Sequence, residues 1–472
     1  MLKKIQSNQL VLLTILFVIV NSVLLAHEFF WLGLLPVVLG IIFLIFFSLE
    51  KLLLLIVFCT PFSFSLESLN FGGIGMFIPT EPLLFGVLLL FFLKLFSGEK
   101  LDKMLLIYPI TNAIFFYLIW MGFTITTSEM PIVSVKFFLS RLWFIVPFYF
   151  LAIPLFMQKE NIRNLLWLFL IPLSVVILIT SYKHSLFDFD LESSHLVMYP
   201  FFKDHTRYGA AIAMLLPMTL YLFSTKKRRG VIIGIIFILI LGLVLSYTRA
   251  AWVSLFGAFI FSFILKFRIS FAKFITVIIV AVGILLFSWD SIVMSLEKNT
   301  QDSSSSFSKH IESVSNISTD ASNLERINRW NCAIRMFKER PFVGWGPGTY
   351  AFQYAPFQRS KEKTIISTNQ GDLGNAHSEF LGPLAESGIL GILSFLVLML
   401  TVYYKGMQLY YTLEKGDLRN LVFFSLLALT TYFVHGFLNN FLDTDKLAVP
   451  FWSFISILVA VDIYHKKEIN QG

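Results

Sequence analysis

The chain has 472 residues, 57% of them hydrophobic and only 14% charged, where a soluble domain carries roughly 25% charged residues. That deficit excludes a large water-facing globule and points to lipid as the solvent. The net charge of +8 does not signal nucleic acid, because the basic residues sit in short connectors between apolar runs and form no single reading face.

A helix crossing the hydrocarbon core needs about 20 mostly apolar residues. On that scale the sequence predicts about fourteen spans. They lie near 8–26, 29–48, 51–66, 78–96, 105–126, 138–157, 163–181, 207–224, 230–248, 250–265, 271–289, 384–403, 419–437 and 447–464. The expected fold class is an all-α polytopic membrane protein. The first run follows Lys3 and Lys4 without a small-residue cleavage site, so it reads as an uncleaved helix. Prolines inside the runs, such as Pro61, Pro147, Pro172 and Pro217, are tolerated because neighbouring helices re-satisfy the freed backbone groups. The two cysteines, Cys59 and Cys332, fall in an apolar run and a polar loop, and no Cys or His spacing suits zinc.

Basic residues set the orientation. With the N-terminus inside, 20 of the 37 Lys and Arg fall on one face. They are Lys3, Lys4, Lys51, Lys94, Lys100, Lys103, Lys159, Arg163, Lys226, Lys227, Arg228, Arg229, Lys266, Arg268, Lys273, Lys405, Lys415, Arg419, Lys466 and Lys467. Both termini are therefore expected in the cytoplasm. The predicted organisation is spans 1–11 over residues 1–289, a large outer loop over 290–382, and spans 12–14 over 383–472.

Within the outer loop, 302–323 is rich in Ser, Asn and Asp and reads as a flexible arm. Ser322-Asn323-Leu324-Glu325 reads as a capping box opening a helix that Pro341 ends. On it Ile327, Trp330, Ile334 and Phe337 share a face, with Arg329, Arg335, Lys338 and Arg340 around the rest. Such a helix lies on the outer leaflet or docks on its own bundle, with equal weight on each. The glycine-dense 341–350 reads as a tight turn, since no strand–turn–helix unit surrounds it, and no P-loop sequence supplies an ATP site.

Charge at membrane depth marks function by default. Arg249 sits between two apolar runs, and Arg207 lies at the outer start of its span. Each either snorkels to the interface or serves as an inward anion clamp, since a guanidinium holds phosphate bidentately. Asn375 reads as an N-cap that would place His377 in the first helical turn, neutral near pH 7 and able to take a proton. A structural interfacial histidine is the plainer reading. Glu379 and Glu386 are candidates for the base or for salt bridges.

These pieces fall in a particular order. Ser246-Tyr247-Thr248-Arg249 precedes Ala250-Ala251-Trp252; Arg329-Trp330 and Ala333 follow; then come Pro341 and Gly344-Trp345-Gly346-Pro347-Gly348; last are Ala376-His377-Ser378, Glu386-Ser387-Gly388 and Gly391. The chain thereby resembles the O-antigen ligase and O-antigen polymerase superfamily. The resemblance implies a metal-independent inverting glycosyltransferase without a cofactor. It would take a glycan from undecaprenyl diphosphate on the periplasmic face of the inner membrane and join it to an acceptor hydroxyl, in the ligases a sugar of the lipid A core. By this similarity Arg207 and Arg249 bind the pyrophosphate and His377 is the base, with His205 and Glu386 completing the expected substrate-binding set. Ser378 stands where the ligase pattern often has Asn, and the ligases often have twelve spans. A polymerase or a protein O-oligosaccharyltransferase is the rival within the class. A transporter of small anions or lipid-linked glycans is the rival outside it.

Overall fold

The computed structural model describes residues 2–27, 32, 35–36, 39–40, 43–44, 48–65, 76–288, 321–363, 367 and 374–465. The chain divides into two units, Met1–Leu55 and Ile56–Gly472. The first holds α1 (Leu2–Ala26); most of the predicted span 29–48 and most of the predicted arm 302–323 lie outside the described residues, and the arm's last three positions are helical instead.

Among its described residues the regular structure of the second unit is helical, apart from a two-residue antiparallel ladder pairing Phe64 with Ile78 and Ser65 with Phe77. Its helices are α2 (Leu49–Cys59, shared with the first unit), α3 (Thr80–Phe96), α4 (Pro109–Ile125), α5 (Pro131–Leu155), α6 (Lys159–Ser185) and α7 (Leu191–Val197). They continue with α8 (His205–Ser224), α9 (Arg229–Leu245), α10 (Arg249–Lys266), α11 (Phe271–Phe287), α12 (Ala321–Glu339), α13 (Leu381–Thr412), α14 (Asp417–His435) and α15 (Asp445–His465). Among the described residues α5, α6, α10, α13, α14 and α15 are long and apolar enough to cross a membrane. This is a mostly helical membrane protein.

The centre of the unit is α15, in which every residue from Asp445 to Ala460 is buried. It packs on α14 and on a π-helical stretch of α5, Val146–Leu151, that carries Pro147; proline removes a ladder donor and loosens the winding there. Helices α8 and α10 both lie against α14, and α4 lies against α13. The run Gly209-Ala210-Ala211 in α8 is buried, as small residues at a close helix contact within lipid should be.

Helix α12 docks on α13, which favours the bundle among its two readings. The docked face is not Ile327/Trp330/Ile334/Phe337. It is Glu325, Asn328, Arg329, Cys332, Ala333 and Met336, all buried, whereas Ile334 is exposed. Cys332, Ala333 and Met336 form a small core with Tyr350, Tyr354, Ala376 and Ala385. The capping box is also corrected. Ser322 lies inside the helix, and the Glu325 carboxylate turns to Arg329 Nε at 2.6 Å and to Ser367.

Candidate functional site

Three helix starts and one loop build the site. Asp204 caps α8 by accepting from the Arg207 N–H at 2.8 Å, and its other oxygen pairs with Arg207 Nη1 at 2.9 Å. The same guanidinium lies 5.1 Å from the Phe441 ring centroid. The turn between α9 and α10 is locked onto this end of α8. His205 Nδ1 donates to the Ser246 carbonyl at 2.7 Å, and Thr248 Oγ1 donates to the His205 carbonyl at 2.9 Å. Tyr247 bends the turn with φ of 49° and ties its hydroxyl to the Phe189 carbonyl at 2.8 Å. The Ser-Tyr-Thr-Arg run is therefore a clamp that starts α10 at Arg249 beside the start of α8. Between the predicted spans 163–181 and 207–224, His195 on α7 is exposed and sets its ring edge-on to His205, with centroids 4.1 Å apart.

His377 lies in the loop before α13, not in that helix, so Asn375 is not its cap. Asn375 Oδ1 accepts from the His377 N–H at 3.0 Å, and Ser378 Oγ accepts from the N–H groups of Phe380 and Leu381 at 3.2 and 3.3 Å. Serine at 378 thus performs the helix-entry task open to Asn in the ligase pattern, since both side chains carry a suitable acceptor. His377 itself is held at φ 46°, a costly left-handed conformation that persists where its surroundings enforce it. Trp330 of α12 is one such restraint, its indole donating to the His377 carbonyl at 3.3 Å.

Arg326 of α12 joins these parts. It acts electrostatically on Arg249, His205, His377 and His435, and faces Asp204. Asn439 is the second link. Its amide donates to His435 Nε2 at 3.1 Å, and its side chain reaches the His377 ring. The structure therefore brings Arg207, Arg249, His205 and His377 to one end of the unit, where Arg326 acts electrostatically on both Arg249 and His377. Burial holds the His377 imidazole down at about 4, and the Arg326 and Arg329 guanidiniums add to that effect. It is neutral near pH 7 and able to accept a proton.

The sequence missed Arg326, His435 and Asn439. His435 was within reach of the rule for charge at membrane depth, because it falls inside the predicted span 419–437. Arg326 carries no separate signal beside Arg329, and only the docked face of α12 distinguishes them. Arg329 is committed elsewhere. It is 5% exposed, bonded to Glu325, and 4.0 Å from the Tyr354 ring centroid.

Glu379 and Glu386 stand apart from the arginines. Glu379 Oε1 accepts from the Tyr432 hydroxyl and from the N–H groups of Phe441 and Leu442 at 2.8 and 3.0 Å. It anchors the 439–443 loop. Glu386 Oε1 accepts from the Tyr350 N–H at 3.0 Å. Around it the glycine-dense turn and α13 interlock: Trp345 and Gly346 donate to the carbonyls of Ala385 and Glu386 at 3.1 and 2.8 Å, and Ile389 donates to Pro341 at 2.9 Å. Gly388 (φ 69°) and Gly344 (φ 66°) make this approach possible, since a Cβ on Gly388 would lie 2.2 Å from the Phe342 carbonyl oxygen.

Residues 234–396 match the family model described as O-antigen ligase. The chain carries a domain of the O-antigen ligase and polymerase superfamily. The match takes in Arg249, Arg326, His377 and the glycine interlock. It begins after Arg207 and ends before His435 and Asn439, which the fold brings to the domain from outside. No curated protein matches the chain significantly. The superfamily consists of membrane glycosyltransferases of the ligase and polymerase type, acting on lipid-linked glycans and glycan acceptors.

Proposed function

We propose that this protein is an O-antigen ligase of the bacterial inner membrane. It transfers a glycan from undecaprenyl diphosphate to a hydroxyl of the lipid A core, on the periplasmic face, with both termini inside and fourteen spans. The observation that carries the reading is the assembly of Arg207, Arg249 and Arg326 from three helices beside a neutral imidazole. Arg249 and Arg326 act on each other electrostatically, and a diphosphate is an anion that guanidiniums hold bidentately.

The step is a single displacement. His377 takes the proton from the acceptor hydroxyl while its oxygen bonds to the anomeric carbon. The bond from that carbon to the diphosphate oxygen breaks, its electron pair leaves with undecaprenyl diphosphate, and the configuration inverts. Arg207, Arg249 and Arg326 stabilise the departing charge from fixed positions. His205, with Nδ1 committed to Ser246, presents Nε2 toward the same group. The reaction runs without a metal because the guanidiniums supply the compensating charge.

The test is transfer by the purified full-length chain from defined undecaprenyl-diphosphate glycan to lipid A core, with and without EDTA. Transfer that persists in EDTA with an inverted linkage is expected. A retained linkage overturns the single displacement. Transfer intact in both Arg249→Ala and His377→Ala overturns the assignment of the site.

A further inference from the structure

Arg141 lies on α5, inside the predicted span 138–157, and is 5% exposed. Among the described residues neither its Nε nor its Nη1 meets a hydrogen-bond acceptor. The guanidinium sits 4.8 Å from the Phe137 ring centroid and borders a cavity of about 170 Å³. Glu379 and Asp443 on the same wall oppose its charge, but the unbonded N–H groups remain open to a ligand that carries acceptors. Two acceptors on the same cavity are also open, since Asn440 Oδ1 and Asp443 Oδ1 are buried without a donor among the described residues. The remaining carboxylates of the wall are committed, Glu379 to the 439–443 loop and Glu386 to Tyr350.

We propose that this cavity is the subsite for a neutral hexose unit of the acceptor glycan. Arg141 donates to sugar oxygens, while Asp443 and Asn440 accept from sugar hydroxyls. The class of ligand follows from the balance of groups. Glu379 and Asp443 outnumber the one guanidinium on the wall, so a uronate or a phosphate would meet net negative charge. A polyhydroxyl compound is both donor and acceptor and satisfies all three open groups. Tyr117, Phe137 and Tyr350 add the apolar surface typical of small-molecule pockets.

The role of acceptor follows from placement. Asn375, Ala376 and Ser378, the neighbours of His377, line the cavity, whereas no described residue of α8, α10 or α12 does. The diphosphate cluster and the cavity are thus walled by different helices and meet at the His377 loop. Inversion requires nucleophile and leaving group on opposite sides of the anomeric carbon. A base at the junction then serves a hydroxyl presented from the cavity. This assignment rests on the transfer reading of His377.

Saturation-transfer NMR on the full-length chain in detergent tests it independently of turnover, with methyl glucoside, methyl galactoside, methyl mannoside and glucuronic acid as probes. At least one neutral glycoside is expected to give a signal that Arg141→Gln and Asp443→Asn abolish and Arg249→Ala retains. Glucuronic acid should give a weaker signal than that glycoside. The inference is overturned if glucuronic acid gives the strongest signal, or if no signal depends on Arg141 in a variant with wild-type size-exclusion and melting behaviour. Should Arg141→Gln fail to fold, the signal in Asp443→Asn decides in its place. Sugar binding through Arg141 in a protein inert toward lipid-linked glycan sinks the transfer reading and keeps the subsite. Transfer without Arg141-dependent binding sinks the subsite alone.

Discussion

At the start of α15, Asp445 and Lys446 are 0% and 2% exposed, and the chain meets their charges itself. Asp445 Oδ2 accepts from the Ser63 and Thr80 hydroxyls, the latter at 2.6 Å, while Oδ1 faces Lys446 Nζ at 3.3 Å. Lys446 also donates to the Ser63 hydroxyl and to its carbonyl, the latter at 2.9 Å. At the arginine cluster the composition is reversed. Arg326 acts on Arg249, His205, His377 and His435, and the acids Asp204 and Glu325 offset part of that effect. Both regions concentrate ionisable groups in an apolar protein, where such groups are expensive. Opposite charges in mutual contact serve the fold, whereas arginines gathered from separate helices beside neutral imidazoles suit the anionic donor of the proposed function. Three contacts help to hold the second arrangement: the Ser246 carbonyl accepts from His205 Nδ1, Thr248 Oγ1 donates to the His205 carbonyl, and the Trp330 indole donates to the His377 carbonyl.

The sharpest way to break this contrast is to exchange the consequences. His377→Ala should lower the rate of glycan transfer by about 10²–10⁴-fold, the usual worth of a positioned base. Arg249→Ala should lower it by about 10²–10³-fold, as removal of one fixed charge-stabilising group does. Neither should lower the melting temperature in detergent as steeply as the loss of one member of a buried ion pair does. A melting temperature that falls in step with activity would place these residues with Asp445 and Lys446 instead.

Lys446→Met should do the opposite. Removing one partner of a buried pair destabilises by about 3–5 kcal/mol, so the melting transition should fall steeply. The double replacement Asp445→Leu with Lys446→Met should recover much of that loss, because well-packed apolar groups of similar volume replace a buried pair at little cost. A double variant worse than Lys446→Met would mean that the pair does more than satisfy itself.

The sequence made the arginine on α10 and the histidine before α13 visible, because both interrupt apolar patterns next to a span. It hid Arg326, because a helix period reports a stripe of apolar residues, and α12 docks through Glu325, Asn328 and Arg329 as well as Cys332 and Met336. A small outer-loop core cannot be recognised by apolar periodicity when half of its docked face is polar. Arg141 was overlooked for a different reason. One charge among the Phe and Leu of a span barely changes its mean hydropathy, although that isolation is what makes the charge informative. The reach of α13 to Thr412, beyond the predicted 403, reflects the same limit. Hydropathy marks the depth of lipid, and a helix continues past it for as long as its backbone pairs.

Gly388 offers a smaller effect that separates scaffold from site. Its φ of 69° and the Phe342 oxygen, 2.2 Å from where a Cβ would sit, mean that Gly388→Ala must open the turn-to-helix interlock. A cost of about 1–3 kcal/mol is expected for a residue forced into such a conformation, read as a lowered melting temperature. Transfer should fall as well, since Glu386 and the wall of the neighbouring cavity move with that turn. Diphosphate binding at the arginine cluster should change less, because the interlock contributes no residue to it.

The finest distinction concerns Arg326 and acidity. Burial, then Arg326 and Arg329, hold His377 at about 4, below the ordinary 6.5. The neutral form is the active one, so kcat/KM for the lipid-linked donor, which reports the free enzyme, should decline only as pH falls through that depressed value. Arg326→Gln removes one of the depressing cations and must shift the acid limb upward, toward the ordinary imidazole value, while raising the KM for the donor. Bound diphosphate opposes the same cations, so in the wild-type enzyme the acid limb of kcat should lie above that of kcat/KM. Arg329→Gln gives the needed contrast, because that guanidinium is committed to Glu325 and its loss should act on the α12 fold more than on the donor. If the acid limb stays fixed in Arg326→Gln while KM rises, Arg326 binds the donor without tuning the base. If limb and KM move together, one residue of the outer helix couples recognition of the leaving group to the proton affinity of the base.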